Sequence, residues 1–268
     1  MSRWMVLGSE GALGREFRKL LGRRDEVCLA RSRAQLDVSD ADLLSVELRR
    51  ERPDFVVNCA AWTDVDAAEA NVAASRAVNA EAPAAMARFC DQVGARLLHF
   101  STDFVFDGEK RSPYAESDEP APLSEYGRGK LLGERAVLGA EGRYLVVRSA
   151  WLYGRTGRSF VEKIAGLAAA RDELRAVTDQ VGSPTFARDL AEGALALVSA
   201  GESGLFHFVN AGQASRYELV HEVVRLTGAN CRLSEAGTDE FPAPAVRPAY
   251  SVLSTKRFTA GTGLVPRH

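Results

Sequence analysis

The sequence predicts an α/β fold in which a doubly wound parallel sheet carries a smaller C-terminal lobe. Short apolar runs alternate with helical patterns through the first half of the chain. The runs are continuously apolar, which is typical of parallel strands that are buried on both faces. A length of 268 residues with 46% apolar composition suits one large α/β domain with an appendage. Right-handed crossovers between such strands give a doubly wound sheet.

The first 150 residues are predicted to form the sheet domain. Its strands are expected at 3–8, 26–30, 54–61, 95–102 and 143–150. Its helices are expected at 11–24, 39–51 with Ser39 as N-cap, 72–93 and around 124–134.

The pattern is less regular in residues 151–268, which we expect to form mostly the smaller lobe. Some of its segments are expected to return to the first domain. Helices are predicted at 158–170, 187–200 and 215–228, and short strands near 174–178, 205–209 and 231–235. A proline-rich loop occupies 242–251.

Composition and charge exclude several classes of protein. With 34 basic and 36 acidic residues, the net charge of −2 offers no field that would attract nucleic acid or a membrane surface. The apolar runs have the length of strands, so no transmembrane helix is expected. The N-terminus enters a strand pattern directly, which does not resemble a signal peptide. We therefore expect a cytoplasmic protein.

Cysteine and histidine patterns predict no metal site. The cysteines stand alone without a C-x-x-C pair, which favours reduced core residues, at Cys28, Cys59, Cys90 and Cys231. The four histidines show no ligand spacing.

The stretch GSEGALG (8–14) joins the first strand to the first helix. Gly8 permits a tight turn, Gly11 removes a Cβ where a pyrophosphate would approach, and Gly14 lets the helix pack close to the strand. Free N–H groups at the helix start favour an anion. The G-x-x-G-x-x-G spacing is one residue looser than the usual fingerprint, so an ordinary strand-to-helix turn stays open as an alternative. The position at the first β–α junction favours dinucleotide binding.

Arginines follow the second strand where an NAD site would carry an acid. Arg31 and Arg33 stand in LARSRAQ, and either guanidinium suits a 2′-phosphate. This favours NADPH over NADH, although NADH stays open and both arginines also suit a solvated surface. Asp37 and Val38 are expected to border the adenine.

Tyr126 and Lys130 are spaced to share one face of a helix. A nearby ammonium lowers the pKa of a phenol from about 10, which would make Tyr126 a proton donor to a carbonyl. The lysine is also expected to reach a ribose hydroxyl. Thr102 ends the fourth strand, where doubly wound sheets bind ligands. Gly127 and Gly129 are expected to leave room above the helix for cofactor and substrate.

Four stretches together carry a specific joint pattern: GSEGALG (8–14), NCAAWTDVDAAE (58–69), STDFVFDG (101–108) and YGRGK (126–130). With them the chain resembles the extended short-chain dehydrogenases/reductases, which are Rossmann-like, and more narrowly the dTDP-4-dehydrorhamnose reductase family. The match continues through SAWLYG (149–154), DQVGSPTFARDLA (179–191) and RPAYSVLSTKRF (247–258). The resemblance implies that NADPH delivers a hydride to the C4 ketone of a nucleotide-linked 6-deoxyhexulose, giving dTDP-L-rhamnose.

The resemblance also implies site residues. By position, the catalytic residues are Thr102, Tyr126 and Lys130. The cofactor contacts are Gly8, Gly11, Ala12, Leu13, Gly14, Asp37, Val38, Ala60, Ala61 and Thr63, together with Arg31, Tyr126 and Lys130. The substrate contacts are Val65, Asp103, Phe104 and Trp151, together with Thr102 and Tyr126.

Three positions depart from the family pattern. Phe104 stands where tyrosine is usual, Gly129 where threonine is common, and Tyr250 where asparagine is usual. These departures bear on substrate identity more than on chemistry. The long loop 103–123 follows Thr102, so we expect it to cover the substrate, with a passive surface excursion as the alternative.

Two further roles are expected from the resemblance and from charge. Asp66 and Glu69 suit a helix N-terminus, where acids stabilise the dipole, better than catalysis. Some relatives hold Mg²⁺ through glutamates at a dimer contact, and the resemblance offers Glu16 as one candidate counterpart, although no spacing demands a metal. A homodimer is therefore an expectation. A nucleotide-sugar epimerase or dehydratase and a non-catalytic NADP-binding regulatory subunit remain alternative functions.

Overall fold

The computed structural model describes residues 1–155 and 159–268. Its centre is a six-stranded parallel sheet in the order β10-β5-β4-β3-β1-β2. Numbered along the chain, the strands of this sheet are β1 (Arg3–Leu7), β2 (Val27–Arg31), β3 (Phe55–Asn58), β4 (Arg96–Thr102), β5 (Leu145–Ser149) and β10 (Gly204–His207).

Short strand pairs form separate two-stranded sheets beside the central one. In the first pair, β6 (Leu152–Tyr153) runs parallel to β9 (Thr185–Phe186). In the second, β8 (Val181–Gly182) is antiparallel to β11 (Ala214–Ser215). In the third, β7 (Glu173–Val177) runs parallel to β12 (Arg232–Ala236).

Helices cover both faces of the sheet. Along the chain, the helices of the described residues are α1 (Ala12–Gly22), α2 (Ala41–Glu51), α3 (Val65–Ala70), α4 (Val72–Arg76), α5 (Ala82–Val93), α6 (Glu125–Leu138), α7 (Phe160–Ala170), α8 (Ala187–Ser199), α9 (Arg216–Thr227) and α10 (Lys256–Thr262). On one face, α1 and α8 contribute apolar side chains such as Phe17 and Leu195 to the core. On the other, α2, α5 and α6 contribute Leu44, Met86 and Val137. Burial on both faces explains why the strands are apolar throughout.

The predicted α/β fold is confirmed, and most predicted elements are present within a few residues. The helix predicted at 158–170 is found from Phe160; its expected first residue lies outside the described residues. The short strands β6, β8, β9 and β11 and the helix α10 were not predicted. Two-residue strands bury too few side chains to leave a pattern in the sequence.

Two expectations for individual elements were wrong. Asp40, not Ser39, caps α2, because its carboxylate accepts from Leu43 N at 2.9 Å. The helix expected at 72–93 is divided into α4 and α5 by a π-helical turn at Ala77–Glu81. This turn packs against α6, and its Asn79 side chain is hydrogen-bonded to Trp62 in the loop that follows β3.

The C-terminal region divides between the central sheet and a small core of its own. The strand predicted at 205–209 is β10, which pairs with β5 at the edge of the central sheet, and α8 packs on the same sheet. Elsewhere, Ala168, Leu174 and Cys231 are buried together between α7, β7 and the start of β12. The division into domains at residue 150 stays a prediction. No helix in the described ranges is both long and apolar enough to cross a bilayer.

Candidate active site

The order of the strands reverses between β1 and β3. The chain runs from β1 outward to β2, then crosses back to β3, β4 and β5 on the other side. Connections that leave in opposite directions open a crevice at the carboxyl ends of β1 and β3, which is where sheets of this kind bind ligands. The segments that follow β1, β3 and β4 carry most of the predicted site residues.

The glycine turn after β1 is shaped by contacts within the protein. Gly8 has φ +70°, and a Cβ there would lie 2.7 Å from Ala60 N. A Cβ on Gly14 would lie 2.4 Å from Gly8 O, so α1 approaches the turn as closely as the absence of a side chain allows. A Cβ on Gly11 would meet no atom closer than Gly8 O at 3.3 Å.

The start of α1 suits a phosphate group. Gly11 is the N-cap of α1 and has no side chain that could accept from the first-turn N–H groups. These donors and the positive end of the helix dipole together favour an anion. The turn therefore fits the pyrophosphate of a dinucleotide, with Ala12 and Leu13 in the first turn beside it.

The arginines after β2 differ in their partners. Arg31 is bound by two carboxylates of α2, Glu47 at 2.6 Å and Glu51 at 3.1 Å. The side chain of Arg33 is 83% exposed and has one loose ion pair, 3.4 Å to Asp37. Arg33 is therefore more available to a 2′-phosphate than Arg31.

Asp37 is held by local contacts. It accepts hydrogen bonds from the backbone N–H and hydroxyl of Ser39, and these lower the pKa of its carboxyl. The charge of Arg33 acts in the same direction on this pKa. Val38, next in the chain, is buried in the core beneath α2. Asp37 therefore orders the start of the loop that leads to α2, beside the predicted adenine position.

A buried asparagine connects the loop after β3 to the neighbouring helices. The Asn79 side chain accepts from Trp62 N and donates to Trp62 O, both at 3.0 Å. Asn79 lies in the π-helical turn, which interrupts the regular helix at this point. It thereby fixes the loop that contains Ala60, Ala61 and Thr63. Sequence reasoning missed Asn79, because nothing in its local pattern distinguishes it from a surface residue.

Polar side chains meet where β4 ends and α6 begins. Thr102 and Asp103 are buried, and the Thr102 hydroxyl donates to Asp103 Oδ1 at 3.0 Å. The Thr102 side chain is also close enough to the Tyr126 phenol to act on its pKa. The buried end of β4 thus places a threonine and a carboxylate beside a phenol from the start of α6.

The start of α6, which carries Tyr126, is fixed by two side chains. Ser124 caps the helix by accepting from Gly127 N at 3.2 Å. The carboxylate of Glu69 accepts from Glu125 N at 2.8 Å. Glu69 therefore stabilises the start of a helix, as its charge suggested, but the helix is α6.

The pKa expected for Tyr126 was wrong in direction. Burial raises the pKa of Tyr126 to about 12, the nearby Thr102 side chain opposes this rise, and the charge of Asp103 adds to it. The ammonium of Lys130 instead donates to Phe100 O at 2.5 Å. Desolvation of the phenolate therefore outweighs any attraction to the lysine. Tyr126 is a neutral phenol at neutral pH.

Lys130 is buried one turn after Tyr126. Burial lowers the pKa of Lys130 to about 8, and the nearby carboxylate of Glu134 opposes this shift. At neutral pH Lys130 is therefore mostly charged. Glu134 is itself held by a buried ion pair with Arg148. A charged lysine thus lies on the Tyr126 side of the helix, within the protein.

The expectation that Gly127 and Gly129 leave room for a ligand was wrong. A Cβ on Gly127 would lie 2.3 Å from Phe104 O, and one on Gly129 would contact Asn79 Cβ at 3.5 Å. These glycines therefore face protein atoms. Their effect is to let α6 approach the segment after β4 and the π-helical turn.

Three of the predicted substrate contacts carry apolar side chains. The Phe104 ring packs edge-on against Tyr126, with centroids 5.7 Å apart and planes at 80°. Trp151 follows β5 with a left-handed backbone, φ 44°. Val65 is half-buried at the start of α3.

The carboxylate of Asp103 accepts a hydrogen bond from a residue that is distant in the sequence. Ser251 Oγ donates to Asp103 Oδ2 at 2.6 Å, across 148 positions of sequence. Burial raises the pKa of Asp103 to about 6, although its hydrogen bonds with Ser251 and Thr102 oppose this. Sequence reasoning placed Ser251 in a family motif but assigned it no role.

The loop 103–123 is built into the protein by backbone bonds. Tyr114 N donates to Val252 O at 2.8 Å, and Ser254 N donates to Tyr114 O at 2.7 Å. Phe106 is fully buried in this loop and stacks on Tyr114. The loop thus fixes the C-terminal segment that carries Ser251. Its role as a substrate cover stays a prediction.

Asp66 ties the proline-rich loop to α3. Its carboxylate accepts from both terminal nitrogens of Arg247, at 3.1 Å and 2.6 Å, and from Ala245 N at 3.2 Å. Because Asp66 lies in the first turn of α3, it also has the position that the helix dipole favours.

Glu16 lies on α1, outside the group formed by Thr102, Tyr126 and Lys130. It forms an ion pair with Lys19 at 2.7 Å and borders a cavity of 330 Å³ between α1 and α8. Within residues 1–155 and 159–268, no group of three His, Cys, Asp or Glu side chains is arranged to hold a metal ion. A magnesium role for Glu16 stays a prediction.

Comparison with known proteins gives the family. The sequence model of the RmlD substrate binding domain matches residues 2–268. A dTDP-4-dehydrorhamnose reductase of Streptomyces griseus is 43% identical over 99% of this chain and 90% of its own length. A probable dTDP-4,6-dihydroxy-2-methyloxan-3-one 4-ketoreductase of Streptomyces antibioticus is 44% identical over 98% of this chain and 90% of its own length.

Solved structures agree with the sequence relatives. The dTDP-4-dehydrorhamnose reductase of Clostridium acetobutylicum superposes with a TM-score of 0.96 at 37% identity, over 99% of this chain and 95% of the other. The Bacillus anthracis reductase, solved in complex with NADP, gives 0.95 at 30% identity, over 99% and 94%. The chain therefore belongs to the RmlD family, the dTDP-4-dehydrorhamnose reductases among the extended short-chain dehydrogenases/reductases.

Proposed function

We propose that this chain reduces the C4 ketone of a dTDP-linked 4-keto-6-deoxyhexose, with NADPH as the reductant. The leading substrate is dTDP-4-dehydro-L-rhamnose and the product is dTDP-L-rhamnose. The observation that carries the proposal is a neutral Tyr126 phenol beside the buried Thr102, with Lys130 charged one turn later. These groups lie near the carboxyl ends of the parallel strands, where the glycine turn also lies.

Tyr126 is proposed as the proton donor. When NADPH is bound, it supplies a hydride to the carbonyl carbon, and the carbonyl oxygen then needs a proton. The Tyr126 phenol holds its proton at neutral pH, because burial raises its pKa to about 12. A high pKa keeps the donor form fully populated and places the cost of the reaction on phenolate formation.

Lys130 and Thr102 are proposed to lower that cost. A charged ammonium near a developing phenolate stabilises it, so Lys130 acts on the transition state more than on the resting phenol. The hydroxyl of Thr102 is positioned to bond the same substrate oxygen as Tyr126. Lys130 is also proposed to bind the nicotinamide ribose, which would couple cofactor binding to catalysis.

The cofactor site is proposed to follow the contacts of the glycine turn. The turn 8–14 and the start of α1 would hold the pyrophosphate, with Asp37 and Val38 at the adenine and Ala60, Ala61 and Thr63 at the nicotinamide side. Arg33 or Arg31 would bind the 2′-phosphate. The NADP complex of the Bacillus anthracis relative supports NADPH as the cofactor.

Sugar identity is the open part of the substrate assignment. Relatives at 41–44% identity include a dTDP-4-dehydrorhamnose reductase, a 4-ketoreductase of another dTDP-linked sugar and a dTDP-4-keto-6-deoxy-D-glucose reductase. Phe104 at a predicted substrate contact has no hydroxyl with which to bind a sugar oxygen. A second candidate is therefore reduction of a related dTDP-4-keto sugar by the same residues.

One turnover assay separates these functions. The loss of NADPH absorbance is followed in the presence of dTDP-4-dehydro-L-rhamnose or dTDP-4-keto-6-deoxy-D-glucose, and the products are identified by chromatography. Steady NADPH consumption with the first sugar supports the leading proposal, and consumption with the second alone supports the other candidate. Isomerised sugar without net NADPH consumption would indicate an epimerase. Tight NADPH binding with no turnover of either sugar would indicate a regulatory subunit.

A further inference from the structure

Arg216 is a partly buried arginine with aromatic contacts on its guanidinium. It is the first residue of α9, and its Cζ lies 3.5 Å from the centroid of the Trp151 ring and 4.9 Å from that of Phe160. Within the ranges that the structure describes, no carboxylate lies within ion-pair distance of this guanidinium. Its edge donors are therefore available to an anion.

Three segments fix the plane of this guanidinium. Trp151 turns away from β5 with a left-handed backbone. Gly182 packs under the indole, where a Cβ would lie 2.4 Å from the ring. The backbone N–H of Arg216 donates to Gln180 O at 3.0 Å. A stacked guanidinium that is held in this way loses little conformational freedom when it binds a ligand.

The charges around Arg216 leave it without a close counterion. Asp103 acts on it from a distance, and the carboxylate of Asp103 is already bonded to Ser251 and Thr102. Arg247 repels it and is itself paired with Asp66. Burial lowers the pKa of Arg216 to about 10, so it remains charged at neutral pH.

We propose that Arg216, stacked on Trp151, binds the diphosphate of the nucleotide-sugar substrate and so helps to select nucleoside diphosphates. The inference rests on the proposed function, because its ligand is the dTDP-linked substrate of that function and the family resemblance implies Trp151 and Asp103 as substrate contacts. A planar guanidinium binds phosphate oxygens through two parallel N–H donors.

The phosphates of NADPH are the other source of the same chemistry. The glycine turn follows β1, whereas Trp151 follows β5, and β3 and β4 lie between these strands. Three strand spacings separate the two positions by roughly 14 Å. This distance favours the substrate over the cofactor as the ligand of Arg216.

Arg216→Gln tests the assignment, with Arg225→Gln as the matched control on the same helix. The Arg225 side chain is 59% exposed and is paired with Glu222. Binding of dTDP, thymidine and NADPH is measured by calorimetry for each variant. We expect Arg216→Gln to weaken dTDP binding about tenfold to a hundredfold, because a charged hydrogen bond is lost. Thymidine and NADPH binding should be unchanged, as should all three in Arg225→Gln.

Arg216→Lys provides a second variant if glutamine disturbs the fold. It keeps the charge and loses the planar fork, so dTDP binding should fall between that of the other two proteins. Thermal melting establishes that each variant is folded. Unchanged dTDP affinity in both Arg216 variants, equal weakening of thymidine, or absence of dTDP binding by the unmutated chain would overturn the inference. If only NADPH binding were weakened, Arg216 would belong to the cofactor site, and the inference would be overturned as well.

The proposed function can fail separately. If neither keto sugar is reduced but Arg216→Gln weakens dTDP selectively, the diphosphate site stands and the reaction assignment is wrong. If a keto sugar is reduced and dTDP binding is insensitive to Arg216, the reaction stands and the diphosphate site is wrong.

Discussion

The two sides of the proposed site are built in different ways. On the cofactor side, the turn 8–14 is a short stretch of backbone in which Gly8 and Gly14 contact each other and the loop after β3. On the substrate side, buried groups from distant parts of the chain meet, as Asp103 and Ser251 do across 148 positions. The first side depends on the absence of side chains, and the second on the desolvation and pairing of charge.

This difference implies different sensitivities to mutation and to pH. A glycine turn has no titratable group, so a substitution there should alter packing and cofactor affinity at every pH. Asp103, Tyr126 and Lys130 all have pKa values displaced by burial. Substitution of Asp103 or Tyr126 should alter rate or pH dependence more than cofactor affinity, whereas substitution of Lys130 should alter both rate and cofactor affinity.

Tyr126→Phe should have the largest effect, and on rate alone. It removes the proton donor and keeps the ring that packs against Phe104. We expect kcat to fall about 10²- to 10⁴-fold, the range for loss of a general acid. NADPH affinity, measured by fluorescence titration, should be unchanged.

Lys130→Met and Thr102→Val complete this test. Lys130→Met should lower both kcat and NADPH affinity, whereas Thr102→Val should lower kcat alone. Near-full turnover by Tyr126→Phe would show that the proton comes from another group. Loss of NADPH affinity in Tyr126→Phe would remove the separation between the two sides of the site.

Asp103→Asn should change the pH dependence of stability. The pKa of Asp103 rises from its ordinary value of 3.8 to about 6 in the folded chain. Between these values the folded chain keeps a proton that the unfolded chain has lost, so this group lowers the free energy of unfolding as pH rises through this window. Asparagine does not titrate, so the variant does not lose this stability. Its free energy of unfolding should therefore rise by about 3 kcal/mol relative to that of the unmutated chain across the window. Urea unfolding at a series of pH values measures the difference.

Asp107→Asn is the control of opposite sign. A hydrogen bond from Tyr114, together with backbone hydrogen bonds, lowers the pKa of Asp107. The ionised Asp107 therefore stabilises the folded chain above its ordinary pKa, and this stabilisation is lost as the pH falls. Relative to the unmutated chain, the Asp107→Asn variant should become less stable as the pH rises. Parallel pH profiles for the two variants would contradict the buried charge inferred for Asp103.

Gly14→Ala should damage the cofactor side without any pH dependence. Its Cβ would lie 2.4 Å from Gly8 O, which forces α1 away from the turn. We expect a loss of about 1–3 kcal/mol in stability, the range for overpacking, with weaker NADPH binding. Gly22→Ala, in the same helix with no atom within 4 Å of its Cβ, is the control. Equal melting temperatures and equal NADPH affinities for the two variants would count against this account of the turn.

Arg33→Ala should narrow the preference for NADPH over NADH. Arg33 is exposed and loosely paired, whereas Arg31 is held by Glu47 and Glu51. We expect the preference to fall by about 1–3 kcal/mol in Arg33→Ala, as for a hydrogen bond to a charged group, and by less in Arg31→Ala. The ratio of kcat/KM with NADPH to kcat/KM with NADH measures this preference. A larger effect in Arg31→Ala would show that the α2 carboxylates release Arg31 when NADPH binds.

The same contrast explains how much could be predicted from the sequence. The glycine turn, the parallel strands and the Tyr126 helix are local patterns, and each was located within a few residues. The pKa of Tyr126 could not be predicted, because it depends on burial by elements distant in sequence. The contacts of Ser251 with Asp103 and of Arg216 with Trp151 have the same origin. They appear only when β11, α9 and the C-terminal segment are folded against β4 and β5.

The smallest expected effect concerns Phe104, whose ring packs against Tyr126 and is 9% exposed. Phe104→Tyr adds a hydroxyl to a ring that is already positioned beside the proposed substrate. We expect KM for the keto sugar to fall about twofold to tenfold, because a neutral hydrogen bond contributes about 0.5–1.5 kcal/mol. Phe104→Leu keeps an apolar side chain and removes the ring edge, so its KM should rise while NADPH affinity is unchanged. A higher KM or a lower melting temperature in Phe104→Tyr would show that this side of the site is shaped for phenylalanine. It would then favour a substrate that presents an apolar group, and not a hydroxyl, to position 104.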